Sequence, residues 1–214
     1  MTGDEADVAR LWDSRDPRAW EDALKCYWDR VRRSGNLKLE QELDSPGLID
    51  RIRAMNEREW YEFLRDEYFP WKFQHCQYDP AKHLRSRETK SGLKQLHTIK
   101  QWLLNTPAEP IERAFDPRRK IPGLAVPGMS GLLSLMFPKA FAAVDQFVVA
   151  SLQRIPTLPE AFLIAGMNSS QLSVRDAVIL IRVMRQEAAE LNQWFRTDAW
   201  TPRRIDMVLW ASRE

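Results

Sequence analysis

Residues 120–155 constrain the fold of this chain most, because they place a Pro/Gly-rich turn before two apolar segments. The prolines and glycines of residues 121–128 predict a tight hairpin, and the small and apolar residues 129–136 predict a helix after it. A second apolar run, residues 141–152, contains a single acid, Asp145. Because burying an unpaired carboxylate is costly, we expect Asp145 to have a specific structural or chemical role.

The composition predicts a soluble, all-α protein. Hydrophobic residues make up 44% and charged residues 29% of the 214 residues, as in ordinary globular proteins, and glycine occurs only 8 times. The length suffices for one or two domains with a real core. Long stretches with helical periodicity and no repeats predict one compact helical body, and some of the nine tryptophans are expected to line a cleft.

Capping residues mark four helix starts. Asp16 and Thr201 each precede a proline, and the helix after Asp16 is expected to run to about residue 33. Asn56 has Glu59 three positions later, which is typical of a capping box. Ser173 is expected to cap a long helix that reaches about residue 195.

The helix that follows Asn56 is expected to end near residues 68–73. Pro70 disfavours the helical conformation at the residue before it, Phe69.

Two cysteines, Cys26 and Cys76, are too few for a disulfide framework or a four-cysteine iron–sulfur cluster, so a reduced cytoplasmic setting is expected. No apolar run has the length of a membrane span, and the first residues are acidic and polar, unlike a signal peptide. His75, His83 and His97 do not match a zinc spacing together with Cys76, so we expect no metal and no cofactor.

The hairpin suggests an anion site. A tight turn at a helix N-terminus directs backbone N–H groups outward, and Gly123 and Gly128 would allow a DNA phosphate to approach closely. The same turn could equally be a simple helix–helix connector. Arg118, Arg119 and Lys120, just before the hairpin, are either phosphate contacts or a solvated basic turn.

The sequence I-P-G-L-A of residues 121–125, a small-residue helix and then Val144-Asp145 together resemble the helix-hairpin-helix DNA glycosylase superfamily. Asp145 follows Gly123 by 22 positions, which fits the family's hairpin and catalytic aspartate. The resemblance covers residues 120–155 well, and an uncharacterised bacterial branch also has a Trp-Lys pair like Trp71-Lys72. It implies a bilobal all-α domain over residues 1–214, with residues 120–155 as its hairpin and catalytic segment.

Two departures from the family pattern bear on the chemistry. Ala125 stands where the hairpin's second glycine is usual, so the phosphate grip of Gly123, Ala125 and Gly128 would be weaker or shifted. Pro127 stands where lyase-competent members have a nucleophilic lysine, and proline cannot form a Schiff base. The resemblance therefore implies a monofunctional enzyme that uses water as the nucleophile.

The implied activity is excision of a damaged or modified base that is flipped out of double-stranded DNA by a monomeric enzyme, in repair or in defence. Asp145 would stabilise the positive charge that develops on the sugar and would orient water. Asp145 is alternatively a helix N-cap, and both roles are compatible.

The resemblance does not decide which residues form the base pocket. Trp71, Lys72 and Gln146 are the candidates, and Lys72 would contact phosphate, read the base or act as a displaced amine nucleophile. The alternative is that Trp71 is a core residue and Lys72 is solvated. Two other functions remain open, a non-catalytic DNA-binding module and a helical scaffold for protein interactions.

Overall fold

The computed structural model of the chain describes residues 8–74 and 79–213. Within these ranges the regular structure is helical and no strand occurs, which confirms the prediction of an all-α protein. The two-lobed, glycosylase-like arrangement stays a prediction. His75 and Cys76 lie outside the described residues.

Thirteen α-helices occur in the described ranges, and short 3-10 helices cover Ile111–Phe115 and Pro117–Arg119. In chain order the α-helices are α1 Val8–Trp12, α2 Pro17–Arg33, α3 Leu37–Leu43, α4 Leu48–Ala54, α5 Glu57–Phe63, α6 Phe69–Lys72, α7 Ala81–Arg85, α8 Lys90–Leu104, α9 Val126–Met136, α10 Gln146–Leu152, α11 Ala161–Ala165, α12 Val174–Phe195 and α13 Pro202–Ala211.

The capping residues act as the sequence predicts. The Asp16 side chain accepts a hydrogen bond from the Arg18 N–H at the start of α2. Asn56 forms a full capping box at α5, and Ser173 forms one at α12, which ends at Phe195. Thr201 caps α13. Each cap satisfies backbone N–H groups that a helix start leaves without partners.

The helix around Pro70 differs from the prediction in one respect. It ends at Lys72, inside the expected range, but Phe69 is helical. A π-helical turn, Leu64–Tyr68, comes directly before it, and the Phe69 N–H bonds the Leu64 carbonyl. The π-turn changes the hydrogen-bond register just before Pro70, which has no N–H to donate, so the chain continues helically.

The hairpin is shorter than predicted. The Leu124 N–H bonds the Ile121 carbonyl at 3.0 Å, and Gly123 has φ +89°, as the third residue of a type II turn requires. Helix α9 already begins at Val126, so Gly128 is a buried helical residue and the predicted hairpin range is wrong after Leu124. The two 3-10 helices stand where a helix-hairpin-helix motif would have its first α-helix.

Helix α13 lies at the centre of the packing and contacts α2, α10 and α12. A large cluster of buried side chains extends from Val8 in α1 to Leu209 in α13, and a smaller one joins Tyr27 and Val31 of α2 to Met207 and Ala211 of α13. In the part of the chain that the structure covers, no helix combines the length and the apolar character that crossing a membrane requires.

Candidate functional site

A cleft of about 850 Å³, the main cleft, opens between α2, the end of α6, the start of α10 and α13. Its size is within the range of ligand pockets. The lining combines acidic, basic and aromatic side chains, among them Tyr27, Arg30, Arg33, Glu40, Trp71, Lys72, Phe73, Pro127, Asp145, Gln146, Phe147, Arg203, Asp206, Trp210 and Arg213.

Asp145 is both a helix cap and a cleft residue. Its Oδ1 atom accepts hydrogen bonds from the N–H groups of Phe147 at 3.0 Å and Val148 at 3.2 Å, so it caps α10. Its Oδ2 atom accepts a hydrogen bond from Lys72 Nζ at 3.1 Å. The cap and the contact with Lys72 coexist because they use different oxygens of one carboxylate, whereas the catalytic role of Asp145 stays a prediction.

Lys72 reaches Asp145 because α9 leaves room for its side chain. A Cβ atom at Gly131 would lie 3.2 Å from Lys72 Cδ and 2.9 Å from the Tyr68 hydroxyl, so the absence of a side chain there admits the lysine stem. The Lys72 and Asp145 side chains keep 10% and 19% of their exposure. The ion pair is thus largely shielded from water, although both groups line the main cleft.

The backbone before Asp145 is fixed by two side chains from neighbouring helices. Ser130, in α9, accepts a hydrogen bond from the Val144 N–H at 2.9 Å. Asp206, in α13, accepts one from the Ala143 N–H at 2.8 Å. Because both contacts are buried, they hold Asp145 in a defined position at the cleft.

A buried charged network forms the floor of the main cleft. Arg203 donates hydrogen bonds to Glu40 at 2.7 Å and to Asp206 at 2.8 Å. Glu40 also accepts hydrogen bonds from the Tyr27 hydroxyl and the Trp71 indole N–H. Removing Arg203 would leave Glu40 and Asp206 buried without their cationic partner, and breaking a buried ion pair in this way typically costs about 3–5 kcal/mol.

Burial raises the pKa of Asp206 to about 7, although Arg203 and the Ala143 N–H act against that rise. Lys72 and Asp145 also influence this carboxyl group, in opposite directions. The Asp206 carboxyl group at the cleft floor is therefore electrostatically coupled to the Lys72–Asp145 pair.

Partly exposed aromatic rings stand at one side of the cleft. The Arg213 guanidinium lies 3.5 Å from the Trp210 ring centre and 4.6 Å from that of Phe147. By contrast, the Trp71 ring is buried, with Arg203 over it at 5.4 Å. Phe147 and Trp210 are therefore less buried than Trp71, but Arg213 already lies over both of their rings.

The structure brings together four of the predicted site residues. Asp145, Trp71, Lys72 and Gln146 all line the main cleft, and so does Pro127. Trp71 fits the alternative of a core residue, whereas Lys72 is paired and not solvated.

The predicted DNA-binding residues of the hairpin are not part of the cleft lining. Lys120 and Ala125 are exposed, and Arg119 donates a hydrogen bond to Thr106 at 2.6 Å. Gly123 packs against the Pro80 carbonyl and the Phe69 ring. Gly128 is buried between Leu124 and Phe73, so its lack of a side chain serves packing.

Sequence reasoning missed the network below the cleft, namely Tyr27, Glu40, Arg203 and Asp206. One signal was available, because Glu40 lies three residues from both Leu37 and Leu43 and so shares their apolar helix face. The partner Arg203 is 163 positions away, and no local pattern connects the two.

Comparisons of the chain with protein-family models, with curated proteins and with solved structures find no match. The geometry of the cleft therefore carries the functional argument.

Proposed function

We propose that the protein is a DNA glycosylase-like hydrolase that excises a damaged or modified base and leaves an abasic site. The observation that carries the proposal is the Asp145 carboxylate, held by two backbone N–H groups and by Lys72 at the edge of the main cleft. A carboxylate fixed in this way, next to a cavity of about 850 Å³, suits a reaction that builds positive charge.

Cleavage of an N-glycosidic bond matches this arrangement. As the C1′–N bond breaks, the base leaves with the bonding electrons and takes up a proton, while positive charge develops on the sugar. Asp145 stabilises that charge and accepts a proton from the water that attacks C1′. The contacts that fix its backbone, from Ser130 and Asp206, are made before substrate binds and so lower the reorganisation needed.

Cationic groups around the cleft suit a phosphate backbone. Arg30, Arg33 and Arg213 line it beside the Lys72–Asp145 pair, and the exposed Lys120 lies in the basic turn before the hairpin. Such contacts bind DNA without reading its sequence. The resemblance of residues 120–155 to helix-hairpin-helix glycosylases supports the same substrate.

A second candidate, strand cleavage through an amine, is favoured by the distance of 3.1 Å between Lys72 Nζ and Asp145 Oδ2. Pro127 cannot supply an amine, but Lys72 lines the same cleft from α6. In this mechanism Lys72 Nζ, after losing a proton, bonds C1′ as the base leaves and forms an imine with the opened sugar. A base then removes a C2′ proton, the 3′ phosphate leaves with its bonding electrons, and the strand is cleaved.

A panel of duplexes, each with one modified base, tests the proposal. The protein is expected to release one base and leave an alkali-labile site. The exposed Asp198→Asn variant, the matched control for Asp145→Asn, should keep full activity. Salt-dependent DNA binding without base release from any duplex would instead favour a non-catalytic DNA-binding module. Absence of DNA binding at low salt would favour a protein-interaction scaffold.

Borohydride reduction, on a substrate found in that panel, distinguishes water from the Lys72 amine as the nucleophile. Water as the nucleophile predicts no covalent complex. Trapping of a protein–DNA complex that disappears in Lys72→Met would establish the amine route instead.

A further inference from the structure

A second cleft, of about 330 Å³, shares no lining residue with the main cleft. One of its carboxyl groups, Glu187, has an oxygen without a hydrogen-bond partner among the described residues. We call this second cleft the acidic cleft. Its walls come from the end of α1, the segment before α11 and one face of α12, and its lining is Trp12, Asp13, Arg15, Thr157, Leu158, Pro159, Glu160, Val183, Gln186, Glu187, Glu190 and Trp194.

Glu187 is the unusual member. The residue is only 4% exposed, and its Oε1 atom has no hydrogen-bond partner among the described residues. Buried carboxyl oxygens are normally paired, because leaving one unpaired costs about 1–3 kcal/mol. Glu187 also lines the acidic cleft, so a donor that enters this cleft comes next to a carboxyl group with one oxygen unpaired among the described residues.

The charged side chains around Glu187 indicate the charge of the ligand that this cleft would bind. Asp13 and Glu190 lie close enough to raise its pKa further, after burial as the main cause. Among the described residues, Glu160 adds a fourth carboxyl group to the lining and Arg15 is its one cation, with the guanidinium 4.8 Å from the Trp194 ring centre. A lining with four carboxyl groups and one guanidinium favours a positively charged ligand.

The chemistry of the lining narrows the class of cation. No group of three His, Cys, Asp or Glu side chains within residues 8–74 and 79–213 is arranged to hold a metal ion. The apolar walls, Trp12, Leu158 and Val183, suit an alkyl chain that carries its charge at one end. One unpaired oxygen suits a compact ammonium group better than a planar guanidinium, which prefers paired acceptors.

We propose that the acidic cleft binds an alkylammonium group, with its nitrogen at Glu187 and its hydrocarbon chain along Trp12 and Leu158. The group is either the side chain of a lysine on a partner protein or a free polyamine. This proposal is independent of the Asp145 site, because the two clefts share no lining residue.

Binding is coupled to a proton. Burial raises the pKa of Glu187 to about 8, with Glu190 and Asp13 adding to the rise. An ammonium binds the ionised form, and the ionised fraction rises about tenfold between pH 7 and pH 9. The ligand stays protonated over most of this range, since an alkylammonium resembles lysine, with a pKa of about 10.4.

Calorimetric titration of the full chain with n-butylammonium, at pH 7 and pH 9, tests the site. We expect affinity about tenfold higher at pH 9, no binding of n-butanol, and release of a proton on binding at pH 7. In Glu187→Gln, a near-isosteric change that keeps a neutral group, the difference between the two pH values should vanish. The exposed Glu21→Gln variant should behave as the unchanged protein.

Two further probes distinguish a lysine side chain of a partner protein from a free polyamine as the natural ligand. Tighter binding of N-acetyl-lysine methylamide than of spermidine indicates a protein partner, and the reverse order indicates a free polyamine. Absence of saturable binding of all three amines at pH 9 overturns the proposal. Binding that Glu187→Gln leaves unchanged also overturns it.

Discussion

The two roles of Asp145 can be separated by substitution. Asparagine is as good an N-cap as aspartate, so Asp145→Asn keeps the hydrogen bonds to α10 and removes the charged oxygen that pairs with Lys72. Asp145→Ala removes both the cap and the partner of Lys72. The difference in unfolding free energy between these two variants therefore measures the cap.

The expected magnitudes follow from the contacts. Losing the bonds to the Phe147 and Val148 N–H groups should cost about 1 kcal/mol, within the range known for N-caps. The ion pair, with side chains 10% and 19% exposed, lies between a surface pair and a buried one, so losing it should cost about 1–2 kcal/mol. Asp145→Ala should then lose about 2–3 kcal/mol in total.

Urea unfolding at pH 7, monitored by tryptophan fluorescence, gives these values. The Asn penalty should shrink in high salt because it is electrostatic, whereas the extra Ala penalty should not. At the exposed N-cap Asp16, which has no lysine partner among the residues that the structure describes, Asn should remain within about 0.5 kcal/mol of the unchanged protein. Equal stability of Asp145→Asn and Asp145→Ala would refute the capping argument.

Three other substitutions test the fold. Gly123→Ala should cost more than about 1–2 kcal/mol in urea unfolding, since φ is +89° and a Cβ would meet a backbone carbonyl; a neutral effect would contradict the turn. Lys100→Met should cost about 1–3 kcal/mol, because the buried Lys100 ammonium bonds carbonyls at the end of α4, whereas the exposed Lys94→Met should be nearly neutral. Glu187→Gln should match the unchanged protein in stability near pH 4 and exceed it by up to about 3 kcal/mol at pH 7. The reason is that burial raises the pKa of Glu187 to about 8, so the unchanged protein loses stability as the pH rises from about 4.5 to 8. Parallel pH profiles of the two proteins would contradict this.

Local signals in the sequence were sufficient for the helix starts. Asp16, Asn56, Ser173 and Thr201 all cap the helices that their patterns indicate, because N-capping depends on a few adjacent residues. The helix through Pro70 was harder to foresee, since its continuation depends on a π-helical turn that no residue pattern announces.

The candidate site was only partly predictable. Asp145 stands out because it is the one acid in an apolar run, and that is a local observation. Its pairing with Lys72, 73 positions earlier, depends on how α6 packs across Gly131 of α9. The burial of Gly128 was missed for a similar reason, since the start of α9 decides whether that glycine belongs to the turn or to the helix.

The rate of base release by Asp145→Asn, on a duplex that the unchanged protein cleaves, tests the central claim most directly. We expect that rate to fall by about 10²–10⁴-fold, the range for a lost acid–base group, while duplex affinity changes less than tenfold. Unchanged base release by Asp145→Asn would contradict the assignment of Asp145 as the catalytic carboxylate.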